Sequence, residues 1–158
     1  LLHYTPGADL VTFRVRGITC GLLICHDFRY PELFRAYKQR GVELMLASFY
    51  NAGMTKANYD KYLATVPATL QAAAASNYFT VSATNGTRRY AWPSFVVSAE
   101  GLVVSKAPAH RSAILINKID TENKLYDASA AWRGRCMRGI FHSGTLVKDD
   151  RSRKRNVL

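Results

Sequence analysis

A cysteine stands at position 25 where the apolar run of residues 21–24 gives way to His26, Asp27, Arg29, Tyr30, Pro31 and Glu32, in the stretch GLLICHDFRYPELF of residues 21–34. A thiol at that place has two readings: a small core hydrophobe that happens to end a strand, or a nucleophile held at the strand's carboxyl edge. The second reading carries a definite chemistry. A thiolate that attacks an amide carbonyl divides a difficult hydrolysis into acyl transfer to sulfur and release of the acid by water. The backbone N–H of His26, which follows Cys25, would then be placed to hold the oxyanion that develops. An ordinary thiol, with a pKa of about 8.5, is mostly protonated at neutral pH, so such a nucleophile needs a base or a cation beside it.

The neighbouring residues divide between chemical and architectural duties. Adjacent residues at a strand end point to opposite sides, so the side chain of His26 is expected to face away from Cys25. Glu32 is expected to meet the N–H groups at a helix start rather than to act as general base. Arg29 has two readings, a planar fork that clamps a substrate carboxylate, or a salt bridge within the turn through Asp27 or Glu32. Tyr50 and Asn51 close the next strand, at the crevice edge where ligands collect in open α/β layers, and are candidate substrate contacts. Asn85, before Gly86, reads as a turn former. Cys20, in mid-strand, and Cys136 read as inert thiols, and the three cysteines show no paired spacing of a zinc site or redox motif.

The elements that must position these residues alternate between strand and helix. DLVTFRVRG, with Val11, Phe13 and Val15 alternating with polar neighbours, and ITCGLLIC predict two adjacent antiparallel strands across Gly17. Pro31 and Glu32 open a helix that carries Leu33, Phe34 and Tyr37 inward and stops at Gly41. VELMLASF is a buried strand. Residues 52–65 read as a long loop or irregular helix, with 51–65 a candidate pocket wall. A short alanine-rich helix is expected to start at Thr65-Val66-Pro67 and close at Asn77. YFTVSAT is a strand, SFVVSAEGLVVSKA a hairpin about Glu100-Gly101, and RSAILINKI a further strand.

Composition sets the outer bounds. With 158 residues and 48% hydrophobic content the chain can bury a single core, and no apolar run approaches the length of a membrane span. The odd cysteine count fits a reducing, cytoplasmic setting. A net charge of +11, from 22 Lys and Arg against 11 Asp and Glu, raises the question of nucleic acid. The excess is concentrated late, in RGRCMRG and DDRSRKRNVL, without a recognised nucleic-acid module, and is read as a solvated or subunit-contacting tail.

Taken in order, these segments resemble a family. CHDFRYPELFRAYKQRGVELMLASF is similar to the nucleophile segment of the nitrilase superfamily, the carbon–nitrogen hydrolases; LQAAAASNYFTVSATNG, SFVVSAEGLVVSKA, RSAILINKID and the early YTPG match further family segments at fitting spacings, so the resemblance covers residues 4–120. It implies an α/β fold, a four-layer α-β-β-α sandwich of which this chain supplies roughly the second half. Residues 1–120 would be the C-terminal part of the hydrolase domain, and 121–158 an extension reaching a subunit interface, with Trp132, Met137, Ile140 and Phe141 too apolar for a free tail.

The implied activity is hydrolysis of a small amide or carbamoyl compound through a Cys25 thioester, without cofactor or metal. Nitrile hydrolysis, or a catalytically silent protein of the same fold, are the alternatives. The family's Glu base and Lys both precede the cysteine, whereas here Asp9, Arg14 and Arg16 are the only acidic or basic residues of that kind before Cys25. The Glu and Lys are therefore expected upstream of Leu1, in a longer enzyme. Ser76 stands where the family has a Glu, and Val66-Pro67 where it often has an aromatic pair. The expected partners are a small-molecule substrate and a second copy of the chain, in a homodimer or higher oligomer, with neither nucleic acid nor membrane.

Overall fold

The computed structural model describes residues 7–50, 54–120 and 126–140, which fall into two compact units, Leu1–Asp127 and Ala128–Leu158. The first is built on one six-stranded sheet in simple sequence order, β1-β2-β3-β4-β5-β6. Strands β1 (Thr12–Val15) and β2 (Ile18–Ile24) form the expected antiparallel pair. Arg16 and Gly17 between them both take positive φ, 47° and 88°, the combination that matches a two-residue turn to the twist of its strands.

From β2 the chain makes two parallel crossovers. Helix α1 (Pro31–Gln39) leads to β3 (Leu44–Ser48), and helix α2 (Lys56–Asn77) leads to β4 (Thr80–Thr84). The hairpin of β5 (Phe95–Val97) and β6 (Val103–Lys106) completes the sheet in antiparallel sense. Helix α1 stops where the sequence indicates: Gly41, at φ 76°, follows it, and Val42 N–H donates back to Tyr37 O at 3.2 Å, closing the helix with the wrap that a left-handed residue permits.

One face of the sheet carries the core. Leu23, Met45, Ala47, Val81, Ala83, Phe95 and Val97 pack against Phe34 and Tyr37 of α1 and Val66, Leu70, Ala73 and Ala74 of α2. Gly21 admits the ring of Tyr37, since a Cβ there would lie 2.8 Å from Tyr37 Cδ1. The Tyr37 hydroxyl donates to Leu22 O at 2.6 Å and accepts from Val11 N–H at 3.2 Å, which ties α1 to β1 and β2. The opposite face is open over β1 and the end of β2: Val11, Phe13, Val15, Leu22 and Ile24 are 51, 38, 50, 37 and 70% exposed.

Two expectations are corrected. The long loop or irregular helix expected over 52–65 and the short helix expected to follow it to Asn77 are instead one 22-residue helix, α2, beginning at Lys56 and running through Pro67. Thr55 caps it, its Oγ1 accepting from Asn58 N–H at 3.2 Å. Tyr59, Tyr62, Leu63, Val66, Leu70, Ala73, Ala74 and Asn77 recur at helical spacing on its core side. Burial of that stripe outweighs the hydrogen bond and fit that an interior proline forfeits. The strand expected at RSAILINKI does not form. Ile114 and Ile116 are 89 and 92% exposed, and the described link to β6 is a side-chain bond, Ser105 Oγ to Asn117 Oδ1 at 2.7 Å. Without a layer to bury the isoleucines or a ladder of backbone bonds, the segment has no reason to join the sheet.

The second unit contains helix α3 (Ala130–Met137), in which the Arg135 guanidinium lies 5.4 Å from the Trp132 ring. Phe141 and the basic terminus fall outside the described residues.

Candidate active site

Register fixes which residues share the sheet's edge. Ile24 pairs with Ser48, and Ser48 with Thr84, so Cys25, Phe49 and Asn85 each stand one residue past the carboxyl end of three neighbouring parallel strands. Ligands collect at that edge of a parallel sheet.

Cys25 leaves β2 at φ 47° and opens a 3-10 turn, Cys25–Arg29, that leads directly into α1. A non-glycine residue in the left-handed region persists only where its surroundings impose it. Here the turn is held from two sides. Asp27 Oδ2 reaches back to accept Ile24 N–H at 2.9 Å, and Asp27 O accepts Tyr30 N–H at 3.1 Å. Phe28 packs edge-on against Phe49 at 5.5 Å between ring centres, and Phe49 in turn packs on the buried Trp92 at 4.6 Å. A strained strand-to-helix turn held in this way presents its first side chain outward, and the Cys25 thiol is exposed. The first N–H groups of a helical turn have no partner within the turn, and His26 stands at the start of this one.

The other residues of the turn are engaged elsewhere. His26 Nε2 lies 3.2 Å from Tyr30 Oη, with the rings edge-on. Arg29 makes neither of the ion pairs considered from the sequence: the ion pairs among the described residues are Lys56–Asp60 and Lys118–Asp120. Its guanidinium donates to Tyr62 Oη at 2.7 Å and lies 5.2 Å from the Phe28 ring and 5.4 Å from that of Tyr62. Tyr62 is thus a candidate site residue that the sequence reading missed, because it sits in the stretch of α2 read as a long loop or irregular helix. The helical recurrence of Tyr59, Tyr62, Leu63 and Val66 was the signal that could have found it.

Tyr50 is largely exposed at the carboxyl end of β3. Its ring abuts Gly86, where a Cβ would come within 3.0 Å of Tyr50 Cδ2, and the Arg88 guanidinium lies 5.7 Å from the ring centre. Asn51 lies outside the described residues. Asn85 braces its loop, as a turn former would: Nδ2 donates to Trp92 O at 2.7 Å and Oδ1 accepts Gly86 N–H at 2.8 Å.

Cys20 is buried, and burial together with the nearby Glu43 charge raises its thiol pKa above the ordinary value, which keeps it protonated. Cys136 is half-buried in the second unit. Among the described residues no cluster of three His, Cys, Asp or Glu side chains is placed to hold a metal, and no helix is long and apolar enough to cross a membrane.

Comparison with known proteins bears on the family and the fold. Residues 2–124 match the sequence model of the carbon-nitrogen hydrolases. An (R)-stereoselective amidase from Pseudomonas sp. is 37% identical over 59 residues, which are 37% of this chain and 19% of that protein. The structure superposes on Nit3 of Saccharomyces cerevisiae, a member of branch 10 of the nitrilase superfamily, with a TM-score of 0.56 at 22% identity, over 65% of this chain and 38% of that one; this likeness concerns the fold. An amidase from Nesterenkonia sp. superposes with a TM-score of 0.54 at 27% identity, over 66% of this chain and 39% of that one. A variant of the Nesterenkonia sp. AN1 amidase, with a TM-score of 0.55 at 27% identity over 66% of this chain and 39% of its own, shows covalent addition of the acetamide moiety of fluoroacetamide at its active-site cysteine. The chain therefore spans about two-fifths of the length of these solved structures and one-fifth of the curated amidase.

Proposed function

Since the chain belongs to the carbon–nitrogen hydrolase family, we propose that it carries the nucleophile of an enzyme that hydrolyses a small amide, with Cys25 as the attacking thiol. The observation that carries the proposal is the conformation of Cys25, an exposed thiol at φ 47° on a braced turn at the carboxyl edge of the parallel strands. A family relationship with amidases, one of which holds an adduct on its active-site cysteine, supports the reading.

In this proposal the Cys25 thiolate adds to the amide carbon, and the N–H of His26 donates to the oxygen as it becomes negative. Collapse of the tetrahedral adduct expels ammonia or an amine after it takes up a proton, and leaves a thioester. Water then adds to the thioester carbonyl, and the acid departs as the thiol is restored. The resemblance assigns the proton transfers to a Glu and a Lys upstream of Leu1. Tyr50 and Asn51 would line the crevice beside the thioester. Arg29, held by Tyr62, would present the rest of its fork to a substrate carboxylate. The protein would act as a homo-oligomer in the cytoplasm.

The full-length protein is assayed for ammonia release from a panel of small amides, N-carbamoyl compounds and nitriles. Amide turnover that falls at least about a thousandfold in Cys25→Ala, with the fold retained by circular dichroism, is the expected result. Turnover that survives Cys25→Ala would overturn the assignment.

A further inference from the structure

We propose that a cavity beside the nucleophile turn binds a small oxyanion, a carboxylate or a phosphate. The cavity, of about 210 Å³, opens where β4 ends and is closed on its other side by the segment that follows β6. It far exceeds the ~10–15 Å³ that one water requires. Asn85, Thr87, Ser94, His110, Arg111 and Ser112 supply its polar lining, and no carboxylate is among its described lining residues. Its chemistry is therefore that of donors and positive charge.

The walls are fixed before any ligand arrives. Both ends of the Asn85 amide are committed to Trp92 O and Gly86 N–H. Ser94 Oγ accepts Asn85 N–H at 2.9 Å, which leaves the hydroxyl proton to be donated. His110 stands at φ 59°, and its Nδ1 lies 3.2 Å from Arg88 O. A carbonyl only accepts, so Nδ1 carries the proton and the ring's orientation is set by that bond. Arg111 is in neither of the ion pairs found among the described residues, and a guanidinium is charged at every working pH. A fork-shaped cation and three hydroxyls around one space match the planar or tetrahedral oxygens of a carboxylate or phosphate, while the His110 ring, with Nδ1 spent on Arg88 O, offers an anion a donor at Nε2 only as the imidazolium.

The position has a further consequence. β4 lies two strands from β2, and strands are spaced about 4.8 Å apart, so the cavity mouth at Asn85 is roughly 10 Å along the edge from Cys25. Tyr50, at the end of the intervening β3, lies between them, its ring against Gly86. The anion could then be a free one, or the far end of a substrate whose amide reaches Cys25. The second source rests on the hydrolase reading and the first does not.

Binding of inorganic phosphate to the full-length protein is measured by titration calorimetry, for the parent and for Arg111→Ala and His110→Asn. Asparagine tolerates the left-handed backbone at position 110, so that variant keeps the loop. Saturable binding that weakens roughly ten- to a hundredfold in Arg111→Ala and less in His110→Asn, with the rate of Cys25 alkylation unchanged, is expected. No saturable binding, or binding indifferent to both substitutions, overturns the proposal whatever the protein hydrolyses. Steady-state kinetics then assign the source. Phosphate that competes with amides carrying a distal carboxylate, together with a KM raised in Arg111→Ala for those amides and not for neutral ones, identifies the substrate's own anion. Phosphate that binds without competing identifies a free one.

Discussion

At the scale of single residues, the account turns on how a turn of five residues holds one thiol outward. Cys25, Asp27 and Phe28 divide the work: Asp27 latches the backbone of Ile24, Phe28 is fixed by Phe49, and Cys25 takes the left-handed conformation that these two anchors leave. Asp27→Asn keeps an acceptor for Ile24 N–H but loses its charge, whereas Asp27→Ala leaves a backbone donor without its partner. The alanine variant is expected to lose about 1–2 kcal/mol of stability in urea titrations and the asparagine variant distinctly less; equal losses would show that the latch does not operate. Arg29 offers a second test. Arg29→Lys retains charge but not the fork, so catalytic efficiency on carboxylate-bearing amides should fall roughly ten- to a hundredfold while neutral amides change little. Tyr62→Phe removes the hydroxyl that holds the guanidinium at 2.7 Å and should give a weaker version of the same pattern. A loss shared by both substrate classes would mean that Arg29 serves only as a brace.

At the scale of elements, most of the architecture was legible because local signals and burial agreed. The β1-β2 pair, α1 with its stop at Gly41, and the β5-β6 hairpin follow from alternation, a proline at the first helical position and glycines in turns. Helix α2 was misread because Pro67 is a strong local breaker and the residues around Lys56 and Asp60 are polar; the stripe that decides the matter is visible only when residues 59–77 are counted on one face. The segment 111–119 was misread in the opposite sense. Its apolar run is real, but a strand needs a paired edge or a covering layer, and neither is present in the described residues. The place of Cys25 at the strand's end was legible, since a thiol followed by a polar turn is a local pattern. The Arg29–Tyr62 pair was not, because its residues are 33 apart.

Two substitutions test these elements. An interior proline costs about 3 kcal/mol relative to alanine in a helix, so Pro67→Ala should raise stability by about 1–3 kcal/mol after the packing of its half-buried ring is discounted; a lowered melting temperature would show that the ring's contacts matter more than the missing N–H. Gly101 stands at φ 86°, and a Cβ there would meet Gln71 O at 2.9 Å. Gly101→Ala should therefore cost about 1–3 kcal/mol by strain and by loosening the hairpin from α2, read as a lower midpoint in urea. An unchanged midpoint would contradict that packing.

At the scale of the whole molecule, one face of the sheet is buried under helices and the other is apolar and open over β1 and the end of β2. Under the proposed reading, the second sheet of an α-β-β-α sandwich would belong on that face. Leu22→Asp discriminates. In the isolated 158-residue chain, where Leu22 is 37% exposed, the change should stay within roughly 0.5 kcal/mol. In a longer protein whose second sheet covers the face, it should cost several kcal/mol, because a carboxylate would be buried without a partner. Equal small effects in both would leave the open face without the expected cover.

The central claim, that Cys25 is the nucleophile, is tested most directly by trapping the acyl-enzyme. The full-length protein is mixed with a small amide substrate, quenched in acid within the first turnovers and digested, and the mass of each cysteine peptide is measured. The account predicts that the peptide containing Cys25 gains the mass of the acyl group, with hydroxylamine treatment removing it, while the Cys20 and Cys136 peptides keep their unmodified masses. An acyl group found on Cys136 or Cys20, or ammonia released while Cys25 never becomes acylated, would contradict it.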